Sequence, residues 1–238
     1  MALAAGILLI ALLYSSVGHA GASGYIAVMS LFGLSPAAIK PTALSLNILV
    51  ASIGSYRFWR AGHFSWRLFW PFAVLSLPMA FVGGWLTLPA HLFKLFLGAI
   101  LLYSAARFLF EGAAVDESSR PPLWAALGSG AVIGLASGIT GTGGGIFLTP
   151  LLLTMRWAKT KQAAAASAVF ILVNSVAGLA GNLSSTKDFP AFALLLAGAA
   201  AAGGAVGSHY GSVRFDARLI KRLLSAVLLI AALKFLLN

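Results

Sequence analysis

Two short stretches of this sequence are rich in small residues and could place backbone N–H groups against a ligand. The first reads GHAGASG at residues 18–24, and the second reads GITGTGGG at residues 138–145. Glycine adopts positive φ angles and lets a ligand approach the main chain closely. A short helix is predicted after each turn, at about 25–34 and 146–154. The N-terminus of such a helix presents unpaired N–H groups and the positive end of its dipole, so both turns are predicted to bind an anion.

Polar side chains near these turns complete the candidate substrate site. Thr140 and Thr142 add hydroxyl donors to the second turn. Asn47 and Asn174 lie in the apolar segments that follow the two turns. Each feature has a structural alternative, because small residues also let membrane helices pack closely and amides also bond across helices. His19 suits substrate binding or titration as well as a hydrogen-bonded packing role. The candidate substrate-binding residues are Gly21, Ala22, Ser23, Gly24, Thr140, Gly141, Thr142, Gly143, Gly144, Gly145, His19, Asn47 and Asn174.

The first turn also raises a catalytic alternative, since GASG at residues 21–24 has the form of the nucleophile motif of rhomboid intramembrane proteases. Such an enzyme would pair Ser23 with a histidine on another helix. However, the second turn has Thr-Gly at 142–143 in the corresponding place, so the feature common to both turns is the glycine backbone. Rhomboids also place their serine on a later span than the first break. We therefore assign no catalytic residue and keep the protease as an alternative.

The composition indicates an integral membrane protein. Of the 238 residues, 60% are hydrophobic and 9% are charged, against about 25% charged in soluble domains. The net charge of +11 comes from basic residues between apolar segments, which indicates orientation in a membrane rather than binding to nucleic acid. The absence of cysteine excludes thiol catalysis, and no motif for a nucleotide, a metal or another cofactor is present. The expected partners are the lipid bilayer and a small anion, and a homodimer is left open.

The two glycine turns each lie near the middle of an uncharged run. Residues 1–39 and 121–155 contain no Asp, Glu, Lys or Arg, and each run exceeds the roughly 20 residues that one crossing needs. A re-entrant hairpin, which enters the membrane and returns to its own side, accommodates a run of this length. The other apolar segments are predicted to be full spans, at about 42–59, 68–88, 92–110, 162–182, 190–213 and 219–238.

The two halves of the chain resemble each other. The glycines of the first turn recur 120 residues later in the second, and the segment ILV at 48–50 recurs at 171–173. We therefore predict an all-α polytopic protein with a single membrane domain over 1–238. It consists of two inverted repeats, each a re-entrant hairpin followed by three transmembrane helices. The first repeat covers 1–110, the linker 111–122 and the second repeat 123–238.

The basic residues predict the orientation of this arrangement. With re-entrant hairpins, twelve of the sixteen Lys and Arg residues share one side of the membrane and four share the other. Positive residues concentrate on the cytoplasmic side, so both termini are predicted to lie outside. The four outer residues are Lys40, Lys94, Lys187 and Lys234.

At these residues the chain resembles the sulfite exporter TauE/SafE family over nearly its whole length. The resemblance rests on the two turns, on ALSLNILVASIGSYRFWRAGHFSW at 43–66 and on AAASAVFILVNSVAGLAG at 164–181. It implies a multi-pass transporter of the inner membrane that exports sulfite, sulfoacetate or a related organosulfonate anion. A rhomboid-type protease using Ser23 and an anion channel are the alternatives.

Overall fold

A computed structural model shows an all-helical chain. It describes residues 1–16, 18–86, 119–187 and 191–211, together with isolated positions between 89 and 106 and between 229 and 233. Eight helices and no strands occur within these ranges. The helices are α1 (Ala2–Ser16), α2 (Ala22–Leu31), α3 (Pro36–Arg60), α4 (Trp66–Trp85), α5 (Leu123–Thr140), α6 (Gly145–Thr154), α7 (Thr160–Thr186) and α8 (Ala191–Gly211).

The helices confirm that the protein is polytopic. Within the described ranges, α3, α4, α5, α7 and α8 are long and apolar enough to cross a membrane. Four predicted spans correspond to α3, α4, α7 and α8, and the two predicted short helices correspond to α2 and α6. The predicted spans at 92–110 and 219–238 lie largely outside the described residues, as does the linker at 111–118.

Both uncharged runs fold back on themselves. Gly6 lies against Val28, and Gly24 lies against Ile10, so α2 runs antiparallel to α1. In the second run, Gly144 lies against Ile133, eleven positions earlier in the chain, which requires the same kind of reversal. Each run therefore reverses direction at its glycine turn, and a re-entrant position in the bilayer stays a prediction.

Close-packed glycines set the direction of neighbouring helices. On α5, Gly130 meets the carbonyl group of Phe72 and Gly138 meets that of Ala80, so α4 and α5 run parallel. A Cβ atom at either glycine would collide with the α4 backbone. Small residues let membrane helices approach this closely. The pair α1 and α8 is built in the same way, with glycines of α8 against carbonyl groups of α1.

The long helices α3 and α7 form the centre on which both turns pack. They run antiparallel, since Gly54 lies against Ala168 while Leu44 lies against Gly178. The first turn contacts the end of α3, where Gly18 meets Phe58. The second turn contacts its beginning, near Lys40. The two turns therefore contact opposite ends of α3, which is the arrangement expected of an inverted repeat. The repeat itself stays a prediction, because its third helices lie largely outside the described residues.

Candidate functional site

Glycines with positive φ angles end one helix and begin the next at each turn. In the first turn, φ is 83° at Gly18 and 108° at Gly21, which precedes α2. In the second turn, φ is 78° at Gly141, 76° at Gly143 and 82° at Gly144, which precedes α6. L side chains rarely adopt such angles, so glycine is required here for its backbone.

The helices α2 and α6 both begin without a side-chain cap in the described structure. The first N–H groups of a helix have no partner within the helix. At the start of α2 the N–H group of Tyr25 donates to the carbonyl oxygen of Gly21, and at the start of α6 the N–H groups of Phe147 and Leu148 donate to that of Gly144. The N–H groups that precede these bonds are the ones that would donate to an anion.

The beginning of α6 lies beside a polar pair formed by the two central helices. The amide nitrogen of Asn47 lies 3.3 Å from the hydroxyl oxygen of Ser175 and 3.4 Å from the carbonyl oxygen of Thr142. A Cβ atom at Gly143 would stand 2.7 Å from that nitrogen and 2.9 Å from the Ser175 hydroxyl. Only glycine therefore lets the turn approach this pair.

Asn47 keeps an unused hydrogen-bonding atom. Its side chain is 0% exposed, and its Oδ1 has no hydrogen-bond partner within the described part of the chain. A buried polar atom of this kind costs about 1–3 kcal/mol unless a ligand or water satisfies it. The amide therefore has capacity for a further partner next to the glycine turn.

Asn174 on α7 also has a side-chain atom without a hydrogen-bond partner in the described part of the chain. The hydroxyl group of Ser76 on α4 donates to its Oδ1 at 2.8 Å, whereas its Nδ2 has no partner among the residues described. A free Nδ2 is a donor and suits an anion. Ser76 had not been singled out from the sequence, where nothing distinguishes it from other serines within spans.

The threonines of the second turn bond to each other. The hydroxyl oxygens of Thr140 and Thr142 lie 3.1 Å apart, and Thr140 donates to the carbonyl oxygen of Ala136 at 2.7 Å. Thr140 thus ties the turn to the end of α5. The hydroxyl group of Thr142 is the one closer to the start of α6.

The hydroxyl groups at the first turn are bonded within its own hairpin. The hydroxyl oxygens of Tyr14 and Ser23 lie 2.8 Å apart, and the Tyr25 hydroxyl donates to the carbonyl oxygen of Ala20 at 2.6 Å. Gly24 is helical rather than part of the turn, and its missing side chain makes room for Ile10 and Tyr14. Ala22 is buried at the first position of α2.

His19 lies apart from the second turn. It is buried and lines a small pocket with Gly18, Ala51, Gly54 and Phe58, between the first hairpin and α3. The structure therefore separates the predicted residues. Thr140–Gly145 and Asn47 come together at the second turn, and His19 and Gly21–Gly24 lie at the first. Asn174 lies apart from these two groups, against Ser76.

Lys40 is a further candidate that the sequence had assigned only to an outer loop. It lies inside α3 and is 7% exposed. Its ammonium group donates to the carbonyl oxygens of Gly83, Gly84 and Leu86 at 3.1, 2.9 and 3.1 Å. Pro36 in the first turn of α3 was the available signal, since proline favours the first turn of a helix and would have placed its start before residue 40.

Known proteins support the transport interpretation. Residues 3–235 match the family described as Sulfite exporter TauE/SafE. A probable membrane transporter protein, y4hK of Sinorhizobium fredii, is 45% identical over 98% of this chain and 97% of its own length. No solved structure matches the chain. The chain therefore belongs to the sulfite exporter TauE/SafE family and is a multi-pass membrane transporter.

Proposed function

We propose that the protein is a secondary transporter that exports a small anion, sulfite or an organosulfonate, across the inner membrane. The observation that carries this proposal is the uncapped start of α6 beside the buried amide of Asn47. Family membership supports transport of such an anion, since the family is described as sulfite exporters. No nucleotide-binding motif is present, so transport follows an ion gradient or the gradient of the anion itself.

The proposed binding mode uses backbone donors rather than a carboxylate or a metal. The N–H groups at the start of α6 and the positive end of its dipole hold the anion oxygens. Asn47 and Ser175 line the opposite side, near the middle of α3 and α7. The free Oδ1 of Asn47 accepts a hydrogen bond from a protonated oxygen, as in hydrogen sulfite.

Export is the direction that the charges favour. Arg57 and Arg60 end α3, and Arg156 and Lys159 lie between α6 and α7. The contact between Trp157 and Phe72 places this second connection near the beginning of α4, at the same end as the first pair. We propose that this end is cytoplasmic, with both termini outside. A potential that is negative inside then favours anion exit by about 2.3 kcal/mol per charge per 100 mV.

The alternatives predict different activities. For a protease, Ser23 would need a base, but its hydroxyl group is bonded to the phenol of Tyr14, which is a poor general base. An anion channel shares the same candidate site. Single-channel currents would favour the channel, and cleavage of a model membrane peptide would favour the protease.

Flux in proteoliposomes tests the proposal directly. Purified protein is reconstituted, and flux is measured with sulfite, sulfoacetate, taurine, sulfate and nitrite under an imposed potential. We expect saturable flux of sulfite or sulfoacetate that rises when the compartment facing the basic connections is negative. Empty liposomes are the control. Absence of flux for every anion, from protein that is folded and correctly inserted, would contradict the proposed function.

A further inference from the structure

Lys40 is a buried cation whose charge meets only carbonyl groups in the described structure. The three carbonyl oxygens at the end of α4 surround its ammonium group at 2.9–3.1 Å. The acidic residues of the chain are Glu111, Asp116, Glu117, Asp188 and Asp216, and all five lie outside the described residues. The ammonium group is therefore balanced by dipoles and by no carboxylate within the described ranges.

A buried charge is costly, and in a membrane protein it is usually functional. Charged side chains inside membrane proteins are rare and commonly mark the path of a substrate or an ion. The end of a helix carries only about half of a negative charge. The α4 carbonyl groups therefore offset part of the Lys40 charge and leave a net positive site that an anion would complete.

Lys40 also lies directly against the second glycine turn. A Cβ atom at Gly141 would stand 3.3 Å from Cγ of Lys40 and 3.2 Å from its carbonyl oxygen. On the other side, Gly138 packs on Ala80 and on the amide nitrogen of Gly84. The lysine side chain thus bridges the end of α4 and the turn that leads into α6.

We propose that Lys40 supplies the positive charge that holds the transported anion at the second turn, an inference that rests on the proposed function. In the arrangement seen here, the ammonium group is bound to Gly83, Gly84 and Leu86. Anion binding exchanges some of these carbonyl contacts for a contact with the anion. The exchange loosens the end of α4, which links occupation of the site to movement of a helix. The ligand class is a small oxyanion whose charge the ammonium group offsets.

Charge substitutions at this position test the first part of the proposal. Lys40→Gln removes the charge, and Lys40→Arg keeps it. Lys187→Gln is the matched control, because Lys187 is an exposed lysine on the side predicted to be outer. We expect the apparent KM for sulfite to rise at least about tenfold in Lys40→Gln. The loss of one hydrogen bond to a charged group lowers an affinity by about tenfold or more. Lys40→Arg should stay within a few-fold of wild type, and Lys187→Gln should be unchanged.

The possible failures are distinguishable. If the wild-type protein moves none of the anions, the proposed function is wrong. If the wild type transports sulfite and Lys40→Gln behaves like Lys187→Gln, only the role of Lys40 is wrong. Where Lys40→Gln does not fold, Lys40→Met takes its place, because its side chain has a similar length and also removes the charge.

Thermal stability separates anion binding from a purely structural cap. Tm is measured for each variant with and without sulfite. A cap for α4 alone predicts a lower Tm for Lys40→Gln but the same rise on addition of sulfite. Our proposal predicts that the sulfite-dependent rise is lost in Lys40→Gln and kept in Lys40→Arg. An unchanged rise in Lys40→Gln would overturn the proposal.

A fluorescent label at the end of α4 tests the second part. The chain has no cysteine, so Leu86→Cys introduces a single thiol. This thiol is labelled first, and sulfite is added afterwards. We expect sulfite to change the fluorescence in this variant and not in Leu86→Cys combined with Lys40→Gln. An equal response in both proteins, or no response in a Leu86→Cys protein that transports sulfite, would contradict the coupling of Lys40 to α4.

Discussion

The amide nitrogen of Asn47 on α3 lies 3.3 Å from the hydroxyl oxygen of Ser175 on α7, beside the glycine turn that begins α6. Both hydrogen bonds of this nitrogen, to Ser175 and to Thr142, are long. They therefore contribute little to folding. This geometry is consistent with our proposal that the amide binds the anion.

Replacement of Asn47 should reduce transport more than stability. Asn47→Ala removes the amide, and Asn47→Asp keeps its shape but places a negative charge beside the anion. We expect sulfite flux to fall about tenfold in Asn47→Ala and further in Asn47→Asp, because like charges repel at short range. The loss in the free energy of unfolding should be about 1 kcal/mol or less in Asn47→Ala. Flux in proteoliposomes and thermal unfolding of the same preparations measure the two effects.

Asn182 provides the control for this prediction. It is also buried on α7 and also has an Oδ1 without a partner in the described part of the chain, but it lies near the end of that helix. Asn182→Ala should leave the KM for sulfite near the wild-type value. Equal losses of flux in Asn47→Ala and Asn182→Ala would remove the reason for placing the site at Asn47.

A methyl group at Gly143 should disable the second turn. Gly143→Ala imposes a φ angle that costs about 1–2 kcal/mol for an L residue. Its Cβ would also stand 2.7 Å from the Asn47 nitrogen and 2.8 Å from Ile171. We expect flux to fall by about an order of magnitude or more while the protein still inserts and purifies.

Gly128→Ala is the matched control for the turn. It makes the same change on the same hairpin, but at Gly128 a Cβ atom meets nothing within 4 Å. We expect flux and stability to stay close to wild type, or stability to rise slightly, since alanine is the better helix former. Normal flux in Gly143→Ala would show that the turn does not need to approach the Asn47 and Ser175 pair.

The hydrogen bond between Tyr14 and Ser23 should be structural. Tyr14→Phe and Ser23→Ala each remove one partner, and each should lower the free energy of unfolding by about 1 kcal/mol. The double variant should lose little more than either single variant, because both changes break the same bond. Transport should be retained in all three proteins.

The same variants also test the catalytic alternative. If Ser23→Ala lost all cleavage of a model membrane peptide while Tyr14→Phe kept it, the serine would be indicated as a nucleophile. Gly143→Ala is the comparison for these variants. It changes the second turn, so it shows how a defect in transport alone appears in the flux assay.

Single thiols should report the predicted orientation of the hairpins. Because the native chain has no cysteine, Phe32→Cys and Ala61→Cys each carry one reactive thiol, at exposed positions before and after α3. An impermeant thiol reagent added to intact cells should label Phe32→Cys and reach Ala61→Cys only after the membrane is opened. Labelling of Ala61→Cys in intact cells, with Phe32→Cys protected, would reverse the proposed orientation.

The sequence predicted the features that depend on residues adjacent in the chain. The uncharged runs with glycines at their middle indicated a break in each hairpin, and the structure has positive φ angles at Gly18, Gly21, Gly141, Gly143 and Gly144. Apolar length alone located α3, α4, α7 and α8 to within a few residues at most ends. Such signals are local, because a glycine turn or an apolar helix is specified by the residues within it.

The tertiary structure decided which of these residues meet. Asn47 and Ser175 are 128 positions apart in the chain, and Lys40 is 43 to 46 positions from its carbonyl partners. The sequence made both turns candidates for the site. In the structure, the hydroxyl groups of Tyr14 and Tyr25 bond within the first turn's hairpin, whereas the second turn lies against Asn47. Likewise, Lys40 was counted as a loop charge because nothing near it in the sequence shows that the end of α4 closes over it. Contacts of this kind depend on how whole helices cross, and helix crossing is set by packing between distant segments rather than by any local pattern.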